Sequence, residues 1–566
     1  MTLEEEKAVE LFELSKVKEQ FDKCAKPVVT EKVSLEEFFL PSHDGVKLKM
    51  IVYRPELEGA LPTIAVRTCY PKNDAIYRAT ALEYAKRGFA YVIQYCRGSG
   101  ESEGVWEPNI NERPDGKVFI DWVAAQPWVS VIGYTGCSYL SMTGWVIADI
   151  LPDKVKTMYL THYGCFRHVS VYQDGLFRHD VLTGWAMQNA GFPVTADYIE
   201  TCKFRPHEEV DEKLWGQKVD WYRKWVTLND ADDEYWNTDF WGMLKDIPTR
   251  VTVPIYFGEG WFDHHLGSAI ETYKALPEET KKRSKFMVGA WNHNFDVCVN
   301  GYKDTGKNFE SDDILRTFDW MWDILVEGKE PKGSIETYII GDDSWYSRPD
   351  YEIPDQEEKK FYLTAGAEGR GLSENDQTPA AEADYVYDPE NPVPTIGAES
   401  CLCTYETRGS LEQPAPDYRS DVISFISEPL TEAFTTLGTI KVTLDVATDC
   451  EDTAFVAKIC EVMEDGKAYN IRTGITTLGY RNGSKKRITY TPNEEVSVEI
   501  KMWDLAWKFQ KGSRIRVDIT SSDFPQYVAH SNQAGCWAKV KESRIANQKI
   551  FVGEGKSCIA FPLLKK

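Results

Sequence analysis

The feature that most constrains the fold is an alternation of two hydrophobic periods over the first 165 residues. Short, nearly continuous apolar runs alternate with segments of helical spacing, and these end close to a glycine or a proline. The apolar runs are 61–68, 89–96, 131–136 and 155–162, and the helical segments are 76–87, 115–126 and 141–150. Apolar runs of this kind are typical of parallel strands buried on both faces. Strand and helix in succession predict an α/β sheet.

The pattern changes after residue 165. Residues 166–247 lack strand-like runs and carry six tryptophans among charged residues, which favours helices. Apolar runs resume at 253–260 and 285–291, with a helical segment at 267–275 between them. We therefore expect one α/β domain in two parts, interrupted by a helical cap at 166–247. A cap of this kind is expected over the carboxyl edge of the sheet, where ligands bind. The two parts of the domain are 1–165 and 248–345.

The last 220 residues have a third character. A stretch rich in Pro, Glu and Asp at 365–420 shows little periodicity and is expected to be irregular. Alternating apolar and polar residues follow at 440–447, 496–502 and 514–520. Regularly spaced strands with a period of two predict an antiparallel β-sandwich or jelly roll over 346–566.

Composition excludes several classes of protein. The chain has 65 Lys and Arg against 89 Asp and Glu, a net charge of −24, which suits neither nucleic acid nor an anionic membrane. No apolar run reaches about 18 residues, so we expect no membrane-spanning helix. The acidic N-terminal segment lacks the apolar core of a signal peptide. The thirteen cysteines are odd in number and mostly isolated, which favours reduced thiols in the cytoplasm.

The sharpest motif is Gly136-Cys137-Ser138-Tyr139, between a predicted strand and a predicted helix. A serine on such a turn is the context of a nucleophile elbow, which lifts the hydroxyl out of the sheet edge. The turn also aims the backbone N–H of Tyr139 at a developing oxyanion. Leu140 stands where the G-x-S-x-G pattern has glycine, so the motif alone leaves an ordinary turn serine as an equal alternative.

A serine nucleophile needs a histidine base and an acid that orients it. Asp263 and His293 each follow a predicted strand, and the order Ser, Asp, His is that of the α/β hydrolases. Taken singly, Asp263 could be a helix cap and His293 a loop residue. Three residues in this order and context favour the catalytic triad Ser138, Asp263 and His293.

The sequence also allows a test for a metal site and for a dinucleotide-binding site. Asp263, His264, His265 and His293 have side chains that ligate metals, but no H-E-x-x-H motif supports a metal site and neighbouring histidines usually point apart. The glycines of segment 98–104 are spaced G-x-G-x-x-x-G, which fails the dinucleotide fingerprint. We therefore expect neither a metal nor an organic cofactor.

Several segments resemble one known family. They are RTCYPK (67–72), CRGSGESEGVW (96–106), DWVAAQPWVS (121–130), GCSYLSMTGW (136–145), GEGWFDHH (258–265), GAWNH (289–293), ISFISEPLTEAFTTLG (423–438), TAFVAKICEVMEDGKA (453–468) and KGSRIRVDITSSDFP (511–525). The chain resembles the cocaine esterase-like serine hydrolases, within the group of X-prolyl dipeptidyl peptidases and α-amino acid ester hydrolases. The resemblance covers nearly the whole chain in the same order. It implies an α/β-hydrolase domain, an inserted helical cap and a C-terminal jelly roll that resembles galactose-binding domains.

The resemblance also implies roles for particular residues. By motif, Ser138 corresponds to the nucleophile, Asp263 to the acid and His293 to the base. The tyrosine of R-T-x-Y, here Tyr70, would place its hydroxyl in the oxyanion hole beside the Tyr139 N–H. No metal or organic cofactor is implied.

The chain departs from the family pattern at two places. The usual D-x-R-G is Tyr95-Cys96-Arg97-Gly98 here, which removes the local carboxylate expected beside Arg97. Carboxylates that hold a substrate ammonium in the amino acid ester hydrolases are replaced by the segment His264-His265-Leu266, so that specificity is not expected. The histidine pair either shapes an acyl pocket with Trp261 or forms a surface turn.

The sequence therefore predicts a serine hydrolase that cleaves a carboxylic ester of a small molecule through an acyl-enzyme. The tryptophan-rich cap favours an apolar or partly aromatic acyl group. The alternatives are a dipeptidyl peptidase or amidase of the X-prolyl type, and a non-catalytic carbohydrate-binding protein. We expect the jelly roll to pack against the hydrolase domain and close the site. The oligomeric state stays open, with a homodimer as one expectation.

Overall fold

The structure is a computed structural model that describes residues 3–299, 313–367, 369–399 and 403–565. Two large β-sheets organise these residues, one of ten strands and one of twelve. None of the helices in the described ranges combines the length and apolar character that crossing a bilayer requires.

The ten-stranded sheet belongs to the first 348 residues, outside the cap. Its elements are α1 (Leu3–Asp22), β1 (Val33–Pro41), β2 (Lys47–Pro55), β3 (Leu61–Thr68), α2 (Asp74–Lys86), β4 (Ala90–Tyr95), α3 (Glu112–Ala125), β5 (Val129–Cys137), α4 (Tyr139–Trp145) and β6 (Val155–Thr161). Between β6 and the next strand of this sheet lie α5 (Arg167–Val171), β7 (Tyr172–Gln173), β8 (Leu176–Phe177), α6 (His179–Gln188), α7 (Tyr198–Lys203), α8 (Asp220–Thr227), α9 (Glu234–Asn237) and α10 (Asp239–Asp246). The sheet resumes with β9 (Ile255–Phe262), α11 (Leu266–Lys274), α12 (Glu278–Lys281), β10 (Lys285–Asn292), α13 (Asp313–Leu325), β11 (Ser334–Ile339) and β12 (Ser344–Arg348).

The order of strands in this sheet is β1-β2-β4-β3-β5-β6-β9-β10-β11-β12. The strands from β4 to β11 pair in parallel, and antiparallel strands flank them on both sides. Since the carboxyl ends of parallel strands meet at one edge, the loops after them converge there. Tyr70 follows β3, Ser138 follows β5, Asp263 follows β9 and His293 follows β10. This topology gathers the predicted site residues at one edge.

Residues 166–247, predicted to be a helical cap, are mainly helical in the structure. Six α-helices and a short hairpin of two-residue strands, β7 with β8, lie in this segment. The hairpin is the one strand pairing that the sequence pattern did not predict there. It is too short to show a period of two.

The twelve-stranded sheet belongs to the C-terminal part. Its strands are β13 (Glu358–Gly366), β14 (Gly369–Ser373), β15 (Ala381–Tyr387), β16 (Glu412–Gln413), β17 (Ile423–Ser427), β19 (Lys441–Thr448), β20 (Ala454–Val462), β21 (Ala468–Thr477), β22 (Val496–Lys501), β24 (Arg514–Thr520), β25 (Ala546–Val552) and β26 (Cys558–Pro562), and β18 (Phe434–Gly438) pairs separately with β23 (Leu505–Phe509). All these pairings are antiparallel except β14 with β17. The arrangement is the predicted jelly-roll β-sandwich, called the β-domain below.

Residues 365–420 are more regular than predicted. They contain β14, β15 and β16, and the start of the stretch is the end of β13. Strand β15 alternates in burial along its length, with Ala383, Tyr385 and Tyr387 directed inward. The surrounding prolines and acidic residues masked this short period of two.

The β-domain packs against both the hydrolase domain and the cap, as expected. Arg472 donates a hydrogen bond of 2.7 Å to the backbone oxygen of Trp261 on β9. Trp537 stacks on Phe177 of the cap, with ring centres 5.3 Å apart.

Arg97, which lacks the usual local carboxylate, pairs instead with Asp44 and Asp115 at 2.7 and 2.8 Å.

Candidate active site

A sharp turn joins strand β5 to helix α4 and holds Ser138. Its backbone has φ 59° and ψ −125°, a conformation that few non-glycine residues adopt and that is characteristic of strained functional turns. Gly136 makes the turn possible, because a Cβ at this position would lie 2.2 Å from the Leu140 carbonyl oxygen. Leu140 takes the place of a second glycine and is itself buried in the core.

Ser138, His293 and Asp263 form one chain of hydrogen bonds. The Ser138 Oγ lies 2.9 Å from His293 Nε2, and His293 Nδ1 lies 2.6 Å from Asp263 Oδ2. Asp263 is fully buried, and its second oxygen accepts the backbone N–H of His265 at 2.6 Å. Both carboxylate oxygens are therefore fixed, and the imidazole is oriented toward the serine.

The charge on Asp263 depends on its neighbours. Burial by itself would raise the pKa of this carboxyl, but the imidazoles of His293, His162 and His264 hold the pKa well below its usual value. The nearby carboxyl of Glu259 behaves in the opposite way, since burial and then the charge of Asp263 raise its pKa well above the ordinary range. The surroundings therefore favour the charged form of Asp263 and the neutral form of Glu259.

Three further histidines surround the triad. Burial lowers the pKa of His162 to about 3 and the pKa values of His264 and His265 well below the ordinary value, so all three are neutral at pH 7. His162 Nδ1 donates to the backbone oxygen of His293 at 3.1 Å, and its ring stacks on that of Phe295. His162 therefore helps to hold the backbone of His293, the catalytic base, in position.

The predicted pair His264 and His265 lies in the site. Both side chains are buried, and both line the cavity above Ser138, so the surface-turn alternative is wrong. His265 Nδ1 is 3.0 Å from the Ser170 hydroxyl of the cap. Their rings lie 4.1 Å apart, which places them together on one wall rather than pointing apart as neighbours usually do.

The cavity has a volume of about 370 Å³. Its described walls are Tyr70, Lys72, Asn73, Ile76, Tyr77, Asn109, Cys137, Ser138, Tyr139, Leu140, Tyr163, Arg167, Val181, Leu182, Trp185, Gln188, Asn189, Trp225, His264, His265, His293 and Asn294. The cap supplies Trp185 and Trp225, whose rings stack with centres 5.8 Å apart. This size and aromatic lining suit a small organic substrate.

None of the described wall residues follows Asn294 in the chain. The β-domain therefore does not close the cavity within the described ranges, contrary to expectation. It packs instead against the hydrolase domain and against a part of the cap that is absent from the described cavity wall. Trp537 contacts Phe177 and His179 there, while Leu182 and Trp185 of the same cap face the cavity.

Tyr70 and Tyr139, the two residues predicted to hold the oxyanion, both line the cavity with Ser138. The Tyr70 hydroxyl accepts the indole N–H of Trp185 at 3.1 Å and also carries a proton that it can donate. Burial raises the pKa of Tyr70 well above its usual value, so the hydroxyl stays protonated. As the first residue of α4, Tyr139 has a backbone N–H without an acceptor inside the helix.

Trp261 does not belong to the pocket. It is buried inside strand β9, and its indole N–H donates to the backbone oxygen of Tyr338 at 2.8 Å. Trp261 is absent from the described cavity wall. Trp261 lies within β9, one residue before the strand ends, and its indole is directed to β11 instead of the cavity.

Sequence reasoning missed three residues of this region. His162 ends the run 155–162 and follows β6, so the strand-end rule that found Asp263 applies to it as well. Glu259 lies within β9 and gave no signal beyond being an acid in an apolar run. Arg167 opens α5, and its position in the cavity wall depends on how the cap folds over the sheet.

A metal site can be tested against the same geometry. Ligand atoms of His162, Asp263 and His293 lie within 4.8 Å of one another. Each of these side chains already has a hydrogen-bond partner within the chain, and the Asp263–His293 bond is the one that a catalytic triad requires. The expected absence of metal and cofactor stays a prediction.

Two family models match successive parts of the chain. Residues 44–294 match the model for the X-Pro dipeptidyl-peptidase (S15) family, and residues 327–554 match the C-terminal non-catalytic domain of X-Pro dipeptidyl-peptidases. Together these models cover most of the chain. The chain carries both domains of the X-Pro dipeptidyl-peptidase (S15) family. It is a hydrolase of that family, and the triad geometry lies wholly within the first match.

Relatives of this S15 family hydrolase are named for different activities. Cocaine esterase from Rhodococcus sp. (strain MB1 Bresler) is 26% identical, and the alignment covers 93% of this chain and 98% of that protein. The structure of an α-amino acid ester hydrolase has 21% identity and a TM-score of 0.79, over 95% of this chain and 98% of that one. An aminopeptidase from a marine sediment archaeon, Thaumarchaeota archaeon, has 19% identity and a TM-score of 0.78, over 96% and 98%. The two structural likenesses establish the fold.

Proposed function

We propose that the protein is a serine hydrolase that cleaves carboxylic esters of small molecules through an acyl-enzyme. The observation that carries the proposal is that His293 bonds to Ser138 with one ring nitrogen and to Asp263 with the other, at 2.9 and 2.6 Å. The curated relative named for ester cleavage, cocaine esterase, aligns over nearly the full chain and supports the same reaction class.

The steps follow from the positions of the atoms. His293 Nε2 takes the proton of Ser138 as the Oγ attacks the substrate carbonyl, and Asp263 stabilises the imidazolium that forms. The Tyr139 N–H and the Tyr70 hydroxyl donate hydrogen bonds to the oxyanion that forms. His293 then returns the proton to the leaving oxygen, and water repeats the cycle on the acyl-enzyme. His293 is the group that accepts and returns the proton in each of these steps.

Ester cleavage is favoured over cleavage of X-prolyl dipeptides by the charge of the cavity. A dipeptidyl peptidase must hold the substrate α-ammonium, and carboxylates are the usual partners of such a group. No Asp or Glu stands among the described residues of the cavity wall. The peptidase or amidase activity is therefore the second candidate, supported by the family itself.

The domain boundaries stay those inferred from sequence, with the cap at 166–247 and the β-domain at 346–566. We also keep the cytoplasmic location and the homodimer as proposals. The location rests on the pattern of isolated cysteines, and twelve of them are free thiols in the described ranges. The oligomeric state is measured directly by sedimentation.

The test is a p-nitrophenyl ester series of increasing acyl length beside a dipeptide p-nitroanilide. We expect ester turnover with a burst of one nitrophenolate per active site, and Ser138→Ala to lower kcat by about 10⁴-fold or more. Ser141→Ala is the matched control, because Ser141 lies one turn further along α4, is buried, and is absent from the cavity wall.

The other outcomes separate the alternatives. Anilide cleavage as fast as ester cleavage, lost in Ser138→Ala, moves the protein to the peptidase branch. Glycan binding that Ser138→Ala leaves intact, without any Ser138-dependent turnover, favours the carbohydrate-binding alternative.

A further inference from the structure

Arg167 is a buried cation in the wall of the cavity. It opens helix α5 in the cap, and only 8% of its surface is exposed. The guanidinium lies over the ring of Trp225, 4.7 Å from the ring centre, and 5.7 Å from that of Trp241. Its Nε is enclosed without a hydrogen-bond partner. The side chain shares the cavity with Ser138.

Arg167 differs from the other buried arginines of the described chain. Six of the eight form ion pairs with carboxylates, namely Arg67 with Glu112, Arg87 with Glu83, Arg97 with Asp115, Arg178 and Arg472 with Glu399, and Arg516 with Asp518. A seventh, Arg348, donates to the Thr337 hydroxyl and to two backbone carbonyls. Arg167 has neither an ion pair nor a hydrogen bond from its guanidinium to the described chain. A charge buried in this way is costly unless something else completes it.

The rest of the cavity reinforces this positive charge. Lys72 lies at the exposed rim, and no carboxylate stands among the described wall residues. His264 and His265 are neutral and add no charge to the wall. The rings of Trp185 and Trp225 make the inner wall apolar. A cavity of this kind attracts an anion and gives it one strong partner.

We propose that Arg167 binds a carboxylate on the substrate, so that the preferred substrates are esters with one negative charge. The planar guanidinium offers paired N–H groups that match the two oxygens of a carboxylate. Because Arg167 and Ser138 line the same cavity of about 370 Å³, the carboxylate and the ester carbonyl belong to one small molecule. This inference rests on the proposed ester hydrolysis and names its substrate class.

The first arm of the test measures turnover by pH-stat titration. Monomethyl succinate, glutarate and adipate carry the charge on the acyl side and are compared with their dimethyl esters. The pair 3-acetoxybenzoate and 3-acetoxybenzamide places the charge, or its neutral equivalent, on the alcohol side. We expect kcat/KM for the charged ester to exceed that for its neutral partner at least 30-fold in one series, which locates the carboxylate.

The variants assign this preference to one side chain. Arg167→Gln is expected to lower the charged-to-neutral ratio of kcat/KM at least 30-fold, and Arg167→Lys to restore part of it. Lys72→Gln, which removes the rim cation, is expected to change the ratio less than 3-fold. A ratio near one in the parent for both series, or an equal change of both esters in Arg167→Gln, would overturn the inference.

The second arm reads binding without turnover. Calorimetry on Ser138→Ala protein compares monomethyl glutarate and 3-acetoxybenzoate with their neutral partners, and the Ser138→Ala, Arg167→Gln double variant serves as the control. We expect at least one charged ligand to bind 30-fold more tightly than its partner, and the double variant to lose this difference. If no ester is turned over in a Ser138-dependent way, the proposed function fails, while this arm still decides the role of Arg167. Equal binding of charged and neutral ligands in both pairs refutes that role.

Discussion

The cap meets the rest of the molecule on two faces, and each face buries an arginine. On the cavity face Arg167 lies over Trp225, with no carboxylate beside it. On the β-domain face, formed by Phe177, Arg178, His179 and His207, Arg178 lies over Trp503, 4.0 Å from the ring centre. Here a carboxylate is present, since Glu399 lies 3.5 Å from the guanidinium.

The two arginines thus have the same aromatic setting and differ in their counter-ion. Glu399 also holds Arg472 of the β-domain, at 3.1 Å, so one carboxylate joins the cap to the domain behind it. The β-domain face is complete within the chain and has a structural role. The cavity face is incomplete within the described chain, which is the state expected of a surface that a substrate completes.

The largest effect on this comparison is expected from Glu399→Gln. The change leaves two buried cations, Arg178 and Arg472, without their carboxylate, and breaking a buried ion pair costs about 3–5 kcal/mol. We expect the free energy of unfolding, measured in urea by tryptophan fluorescence, to fall by that amount. Glu382→Gln is the matched control, because its pair with Lys549 is half exposed and its loss is expected to leave the free energy of unfolding nearly unchanged. Equal small losses in both variants would show that the β-domain face does not depend on this carboxylate.

A smaller effect concerns protons on the β-domain face. Burial lowers the pKa of His207 to about 3, whereas an unfolded histidine titrates near 6.5. The unfolded chain therefore binds a proton that the folded protein excludes, and the stability falls as the pH decreases from 6.5 toward 3. Between pH 6.5 and pH 5 this proton uptake lowers the free energy of unfolding of the parent by about 1.5 kcal/mol. His207→Gln lacks the titrating group and is expected to avoid that loss.

The measurement is the free energy of unfolding of both proteins at the two pH values. His162→Gln extends it to the floor of the active site, since burial also lowers the pKa of His162 to about 3. Parallel pH profiles for the parent and His207→Gln would mean that the folded protein admits this proton.

The smallest effect on the free energy of unfolding is expected from Arg167→Gln. Arg167→Gln removes a charge that has no ion-pair partner in the described chain, so the loss is confined to its contacts with Trp225 and Trp241, about 1 kcal/mol. Arg178→Gln leaves Glu399 with one arginine fewer and is expected to cost more. Urea unfolding of the two variants gives both values side by side. A larger loss for Arg167→Gln than for Arg178→Gln would assign Arg167 to the structure of the cap instead of its ligand.

The sequence predicted the hydrolase part closely because its signals are local. The run 61–68 is strand β3 with those bounds in the structure, and the run 155–162 is strand β6 at 155–161. In the β-domain, by contrast, strands β13 to β15 were missed, because short strands among prolines and acids carry a weak period of two.

The site residues divide in the same way. Ser138 and His293 were found because each stands directly after a predicted strand, and the sheet brings such positions together without further information. Trp261 was misplaced because a residue one or two positions before the strand end lies inside the sheet, a distinction finer than sequence boundaries allow. The cavity face of the cap depends on contacts between segments that are distant along the chain.

The amino-acid sequence by itself determined the α/β sheet, the helical insertion, the β-domain and the order of the catalytic residues, since hydrophobic period and strand-end position are properties of neighbouring residues. Only the tertiary structure decided that Arg167 is buried without a carboxylate while Arg178 has Glu399, because an ion pair between residues 178 and 399 joins parts of the chain whose approach no local pattern encodes. The counter-ion of a buried charge is fixed by packing.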